Sequence, residues 1–169
     1  MQLGQVVLVD TNIIIEAVRT NCWSAITAHF VIETVDKCCE EARTGQTHRP
    51  GYVEIDEAAL RRRLTVRRVT ETQMAALGVR DIEIRHLDAG ELELWAHALS
   101  RNDEWVACCC DRNAINAAVR LGWEDRLVSL EELAHAVGAR AALKDLREQF
   151  KSERLSQWRT AALLKRGLK

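Results

Sequence analysis

Two short apolar runs, each closed by an aspartate, constrain this chain more than anything else in it. Val6-Val7-Leu8-Val9 ends on Asp10, and Trp105-Val106-Ala107-Cys108-Cys109-Cys110 ends on Asp111. Short runs without polar alternation read as strands buried on both faces, the mark of a parallel sheet. Each is followed by a segment suited to a helix: Ile13 to Val18 after the first, and Asn113 to Leu121, closed by Gly122, after the second. In a parallel sheet the C-terminal ends of all strands share one edge, where α/β proteins place their ligands. Asp10 and Asp111 converge on that edge if their strands are neighbours. Either residue, taken alone, is equally suited to capping the helix that follows it.

The remaining chain repeats the strand–helix alternation. A short helix is expected over Asn21 to His29, and a brief strand at Phe30-Val31-Ile32. Thr34 is placed as the N-cap of a helix running to about Arg43 and ended by Gly45. Gly45, Pro50 and Gly51 mark a loop. Asp56 caps a short helix carrying Leu60, and Thr70-x-x-Gln73 matches a capping box for a helix stopping at Gly78. Leu92, Trp95, Ala96 and Leu99 form one buried stripe of a helix opened by Asp88, with Glu91 at the N3 position. Arg126-Leu127-Val128 reads as a last strand, and Ser129-x-x-Glu132 as the cap of a helix ending near Gly138. The expected fold is α/β: a three-layer parallel sheet with helices on both faces, residues 1–138, holding an inserted segment at about 44–80. Residues 139–169 form a helical, basic C-terminal extension packing on the domain or on a partner.

Charge and cysteine content narrow the functional classes. The overall net charge of −1 divides into +6 over residues 139–169 and −7 over the rest. A basic tail on an acidic body suits nucleic acid or an acidic partner, though a solvated helix face explains it as well. The six cysteines (22, 38, 39, 108, 109 and 110) lack the paired spacing of a zinc site, and neighbours on a strand point to opposite faces. They read as small buried hydrophobes in a reducing compartment. With no apolar run near ~20 residues and no leader pattern, the expected location is the cytoplasm, away from membranes.

Asp10 and Asp111 at the sheet edge, joined by Glu40 and Glu91 from the first turns of their helices, would put four carboxylates over one cleft. Such a cluster repels itself unless a cation neutralises it. Oxygen-only ligands select a hard ion, Mg²⁺ or Mn²⁺. Such ions activate water and offset the charge of a phosphate during in-line displacement, which points to phosphodiester hydrolysis.

The ordered set Val7-Leu8-Val9-Asp10-Thr11-Asn12, Thr34…Glu40, Gly90-Glu91 and Cys109-Cys110-Asp111-Arg112 resembles the PIN domain family over roughly residues 5–133. The resemblance implies an RNA-cleaving enzyme whose acids bind Mg²⁺ or Mn²⁺. Carried over by position, Asp10, Glu40, Glu91 and Asp111 are the catalytic metal ligands. Asn12 hydrogen-bonds a ligand or a metal-bound water, and Asp88 caps the helix of Glu91. Glu33 is the rival for the second acid, with Glu41 behind it. Many bacterial members are endoribonuclease toxins held by an antitoxin protein, and they are commonly dimeric. The partners implied are therefore RNA, an antitoxin and a second copy of the chain. The middle segment and the basic C-terminal tail exceed the compact toxins, and Cys110 stands where Thr or Ser is usual in the family.

Two other readings stand beside this one. A phosphotransferase with a strand-end nucleophilic Asp needs a second Asp two residues on, and this chain has Asn12 there. A PIN-like module retained as a scaffold or partner-binding domain needs no chemistry at all. Arg112, Arg120, Arg126 and the tail are candidate phosphate contacts or plain surface charges. Of five tryptophans, four lie in apolar runs and suit the core; Trp158 suits an interface or the flank of its own domain.

Overall fold

Five strands pair side by side, all parallel: Val6–Val9 (β1), Val31–Val35 (β2), Thr65–Arg67 (β3), Trp105–Cys108 (β4) and Leu127–Val128 (β5). Their order is β3-β2-β1-β4-β5. This computed structural model describes residues 1–44 and 56–167, so the expected loop around Gly45, Pro50 and Gly51 lies outside the described residues. The chain lays down β1, β2 and β3 in one direction, then crosses back to place β4 and β5 on the other side of β1. Reversal of strand order opens a crevice between β1 and β4, the switch point at which α/β sheets take their ligands. Val9 pairs with Cys108 at the upper end of that crevice.

Among the described residues ten α-helices connect and cover the strands: Thr11–Arg19 (α1), Trp23–His29 (α2), Asp36–Thr44 (α3), Glu57–Arg61 (α4), Glu71–Arg80 (α5), Ala89–Leu99 (α6), Arg112–Arg120 (α7), Leu130–Ala136 (α8), Arg140–Leu143 (α9) and Ser152–Gly167 (α10). Alternate residues of each strand face opposite sides, and two hydrophobic cores result. Val7, Val9, Ile32, Val106 and Cys108 pack with α1, α2 and α8 through Ile13, Ile14, Ile26, Leu130 and Leu133. Leu8, Val35, Trp105 and Ala107 pack with α5, α6 and α7 through Leu77, Leu94, Trp95 and Ile115. The architecture is thus α/β with helices on both faces of a parallel sheet. All six cysteines are free and buried, with Cys108 and Cys110 in one core and Cys109 in the other. Among the described residues no helix is long and apolar enough to cross a membrane.

Several boundaries differ from expectation for identifiable reasons. Thr34 is a strand residue, not a cap: its hydroxyl donates to the Val9 carbonyl (2.7 Å), and β2 continues to Val35. β3 was not expected. It pairs with β2 as a polar edge strand, so residues 65–67 of the 44–80 segment belong to the sheet. α5 passes through Gly78 to Arg80, while its Thr70–Gln73 capping box forms as expected, as does Ser129–Glu132 before α8.

The C-terminal segment packs on the body. Ala142, Leu146 and Phe150 enter the first core; Leu155 enters the second, against which Trp158 also packs. Its cations are largely engaged within the fold. Arg147 grips Glu16 of α1, Arg166 pairs with Glu124, and Lys151 with Glu148. Glu16 is fully buried; burial pushes its carboxyl up, but hydrogen bonds from Arg19 and Arg147 hold it down at about 2.

Candidate active site

Asp10 leaves β1 in extended conformation and caps α1, its Oδ1 accepting the Ile13 N–H at 2.8 Å. The capping role is therefore real, but it occupies one oxygen only. Oδ2 is buried without a hydrogen-bond partner among the described residues, and the residue is 2% exposed. Burial, reinforced by the charge of Asp111, raises the Asp10 carboxyl to about 7, against the pull of nearby backbone N–H groups led by that of Ile13. β4 stops at Cys108, short of the expected Cys110, and because Val9 pairs with Cys108 it is Cys109 that stands level with Asp10. Asp111 lies beyond it but has the same role as N-cap, its Oδ1 accepting from Asn113 N (2.6 Å) and Ala114 N (3.1 Å) at the start of α7. The two aspartates thus lie close enough at the switch point for the charge of one to act on the other, each holding a helix N-terminus.

Glu91 joins them from the first turn of α6. It is buried, and burial first, then the charges of Asp111, Asp10 and Asp88, lift its carboxyl to about 8. The backbone of Asp88 gives it one opposing hydrogen bond. The Asp88 side chain makes no cap bond and is exposed, so the reciprocal capping box expected from Asp88 and Glu91 does not form.

The second acid comes out differently from the sequence expectation. Glu40 points outward, 53% exposed, and pairs with Lys37 at 2.8 Å. Its neighbour Glu41 turns to the cluster instead. Glu41 Oε2 accepts the Thr11 hydroxyl at 2.9 Å, and Oε1 accepts the Gly90 N–H at 3.1 Å. Thr11 follows Asp10, and Gly90 precedes Glu91, so Glu41 sits between the two raised acids' own neighbours. Counting turns from the expected cap selects Glu40, whereas the carboxylate that meets Thr11 and Gly90 is that of Glu41.

Glu33 belongs to another group altogether. It lies within β2 and accepts from Arg67 (2.9 Å) and from Arg101, with His97 Nε2 at 2.9 Å. Burial raises its carboxyl, but Arg67, His97 and Arg101 together hold it below the ordinary carboxylate range. This ion cluster ties β2, β3 and α6 together below the edge. Asn12 and Arg112 stand exposed in the first turns of α1 and α7, flanking the crevice. Among the described residues the Asn12 side chain hydrogen-bonds none of the acids.

Chemically, the edge holds oxygen donors of high charge density with little to neutralise them. Two carboxyls raised by burial and mutual repulsion, and one orphaned buried oxygen, fit a cation that would relieve both. The fit is one of charge and donor type. Among the described residues no three His, Cys, Asp or Glu side chains already converge closely enough to hold an ion. Fold and site together define an α/β protein with an acidic crevice at the switch point of a five-stranded parallel sheet. Neither the known protein families nor the curated proteins compared with this chain gave a match.

Proposed function

We propose that the chain is a PIN-like, Mg²⁺- or Mn²⁺-dependent ribonuclease, with Asp10, Glu91 and Asp111 as the acids that hold the ion and Glu41 in the second-acid role. The observation carrying this reading is the raised, buried pair Asp10 and Glu91 beside Asp111 at the switch-point crevice. Nothing in the stability of the fold calls for three acids there, since two uncharged caps would hold α1 and α7 as well. When bound, a hard divalent ion would supply an activated water and offset charge on the scissile phosphate. The chain's own part is to hold Asp10 rigid through its Ile13 cap and Asp111 through Asn113 and Ala114, and to keep Glu91 out of bulk water. RNA is the substrate class that the family resemblance implies. Its antitoxin-controlled, dimeric members supply the further reading of a toxin.

Asp10→Asn and Asp111→Asn are expected to abolish Mn²⁺- or Mg²⁺-dependent cleavage of single-stranded RNA with the circular dichroism spectrum unchanged. Full activity in either variant removes the assignment. A wild type that cuts neither RNA nor single-stranded DNA across a metal series favours the scaffold reading. Growth arrest on expression of the chain alone, relieved in Asp10→Asn, is the outcome that a toxin requires.

A further inference from the structure

Gly90 has no backbone reason to be glycine. It lies in the first turn of α6, outside the set of residues with positive φ, and glycine is among the poorest helix formers. Space is the reason. A Cβ built on Gly90 would lie 2.6 Å from Glu41 Oε2, 3.1 Å from Glu41 Cδ and 3.0 Å from Cys38 Sγ. The missing side chain is the cradle in which the Glu41 carboxylate rests. The cradle also supplies a donor, because the Gly90 N–H reaches Glu41 Oε1 at 3.1 Å.

Thr11 closes the cradle from the other side. Its hydroxyl donates to Glu41 Oε2 at 2.9 Å, with the Cys38 carbonyl as a second acceptor at 3.2 Å. Each carboxylate oxygen of Glu41 is therefore engaged once, by groups adjacent in sequence to Asp10 and to Glu91. A glutamate side chain loses considerable rotamer freedom when held in one place, and two donors from two helices offset that loss. Surface acids need no such arrangement, as the neighbouring Glu40 illustrates.

Resting on the nuclease reading above, we infer that Thr11 and Gly90 are positioning residues that fix the Glu41 carboxylate beside Asp10 and Glu91 for the divalent ion. Removing either donor or filling the cradle displaces the end of a flexible side chain and not a backbone. Ion affinity is thus expected to fall while the fold survives. Groups that orient the ligands of a metal typically alter its affinity by roughly 10- to 100-fold.

The test measures Mn²⁺ affinity by titration calorimetry, Mn²⁺-dependent RNA cleavage, and thermal melting, on the full chain. Gly90→Ala and Thr11→Val are expected to weaken Mn²⁺ binding about tenfold or more, as does Glu41→Gln, while Thr11→Ser stays near wild type. Gly90→Ala combined with Glu41→Gln is expected to bind no worse than Glu41→Gln alone, because both changes remove one interaction. A purely structural role predicts losses that add, with Mn²⁺ affinity unmoved in variants that melt normally. Unchanged Mn²⁺ affinity in folded Thr11→Val overturns the inference even if Gly90→Ala fails to fold. Wild type that binds Mn²⁺ without cutting RNA refutes the nuclease reading, and the affinity series still decides the inference. Wild type that binds no Mn²⁺ overturns both.

Discussion

Replacing Asp10 by Asn is expected to make the metal-free protein more stable at neutral to alkaline pH. Asp10 is almost fully buried, and its carboxyl is raised from an ordinary 3.8 to about 7. At about 1.4 kcal/mol per pH unit, that rise amounts to about 4 kcal/mol by which the charged carboxylate opposes folding. The folded protein holds this proton more tightly than the unfolded chain. The opposition is therefore absent below pH 3.8, grows from there to pH 7, and is complete above it. Asn keeps the oxygen that caps Ile13 but places an NH₂ where Oδ2 had no partner, at a cost of about 1–3 kcal/mol. A net gain of about 1–3 kcal/mol remains, or several degrees in melting temperature for a chain of this size. Loss of the Asp10 charge also relieves Glu91. Thermal or urea unfolding of both proteins from pH 4 to pH 8 in EDTA measures the difference, which should widen up to pH 7 and then level off. Saturating Mn²⁺ should reverse the ranking, since an ion at a thousand times its dissociation constant stabilises wild type by about 4.1 kcal/mol. An Asp10→Asn protein less stable than wild type at pH 8 in EDTA, or a difference flat with pH, would refute the reasoning.

Two more outcomes follow from the acids around the edge. Glu40→Gln should leave Mn²⁺-dependent cleavage within about twofold of wild type, since exposed ion pairs contribute little, whereas Glu41→Gln should lower it severely; assays run side by side decide between them. Glu16→Gln should destabilise the fold by about 2–4 kcal/mol in urea unfolding at pH 7, below the full figure for a broken buried pair because Arg19 and Arg147 reach solvent. The Glu16 carboxyl sits at about 2 against an ordinary 4.5, so its contribution is present above pH 4.5 and disappears as the pH falls towards 2, where the two proteins should converge.

Strands buried on both faces were legible where they consist of hydrophobic side chains alone, as at Val6–Val9 and Trp105–Cys108, and less so at β2, where buried Glu33 and Thr34 break the run. β3 was not. Thr65 and Arg67 are exposed and only Val66 turns inward, so an edge strand of three residues leaves no apolar run to read. Asp10 and Asp111 were legible for the same reason as their strands, since each marks a fixed distance from a buried run. Glu40 and Glu41 differ by a single residue, which on a helix is a turn of about 100°, and no local pattern shows which of them faces Thr11 and Gly90. Thr34 reads as a helix cap when only its sequence neighbours are considered, but its hydroxyl is engaged elsewhere. It is held by the Val9 carbonyl, a partner 25 residues away that no local pattern announces. Gly90 was quoted for its place in a motif, while its true constraint, the carboxylate lying where its side chain would be, arises only when α3 meets α6.

The grip of Arg147 on Glu16 links the opposite ends of the domain in time as well as in space. Glu16 lies in α1, the helix that Asp10 caps, and its main cationic partner is 131 residues away along the chain. While the protein is being synthesised, all five strands and helices α1 to α9 emerge before that partner does. Domains fold as their residues become available, so the nascent sheet would carry the Glu16 carboxylate compensated by Arg19 alone until residues 146–150 follow. The tail then acts as a late latch, completing the burial of Leu146 and Phe150 in the same step that neutralises Glu16. A nascent chain that stops short of Arg147 would hold its acidic crevice on an α1 not yet locked in place, and the site would become rigid only once residues 146–150 have packed.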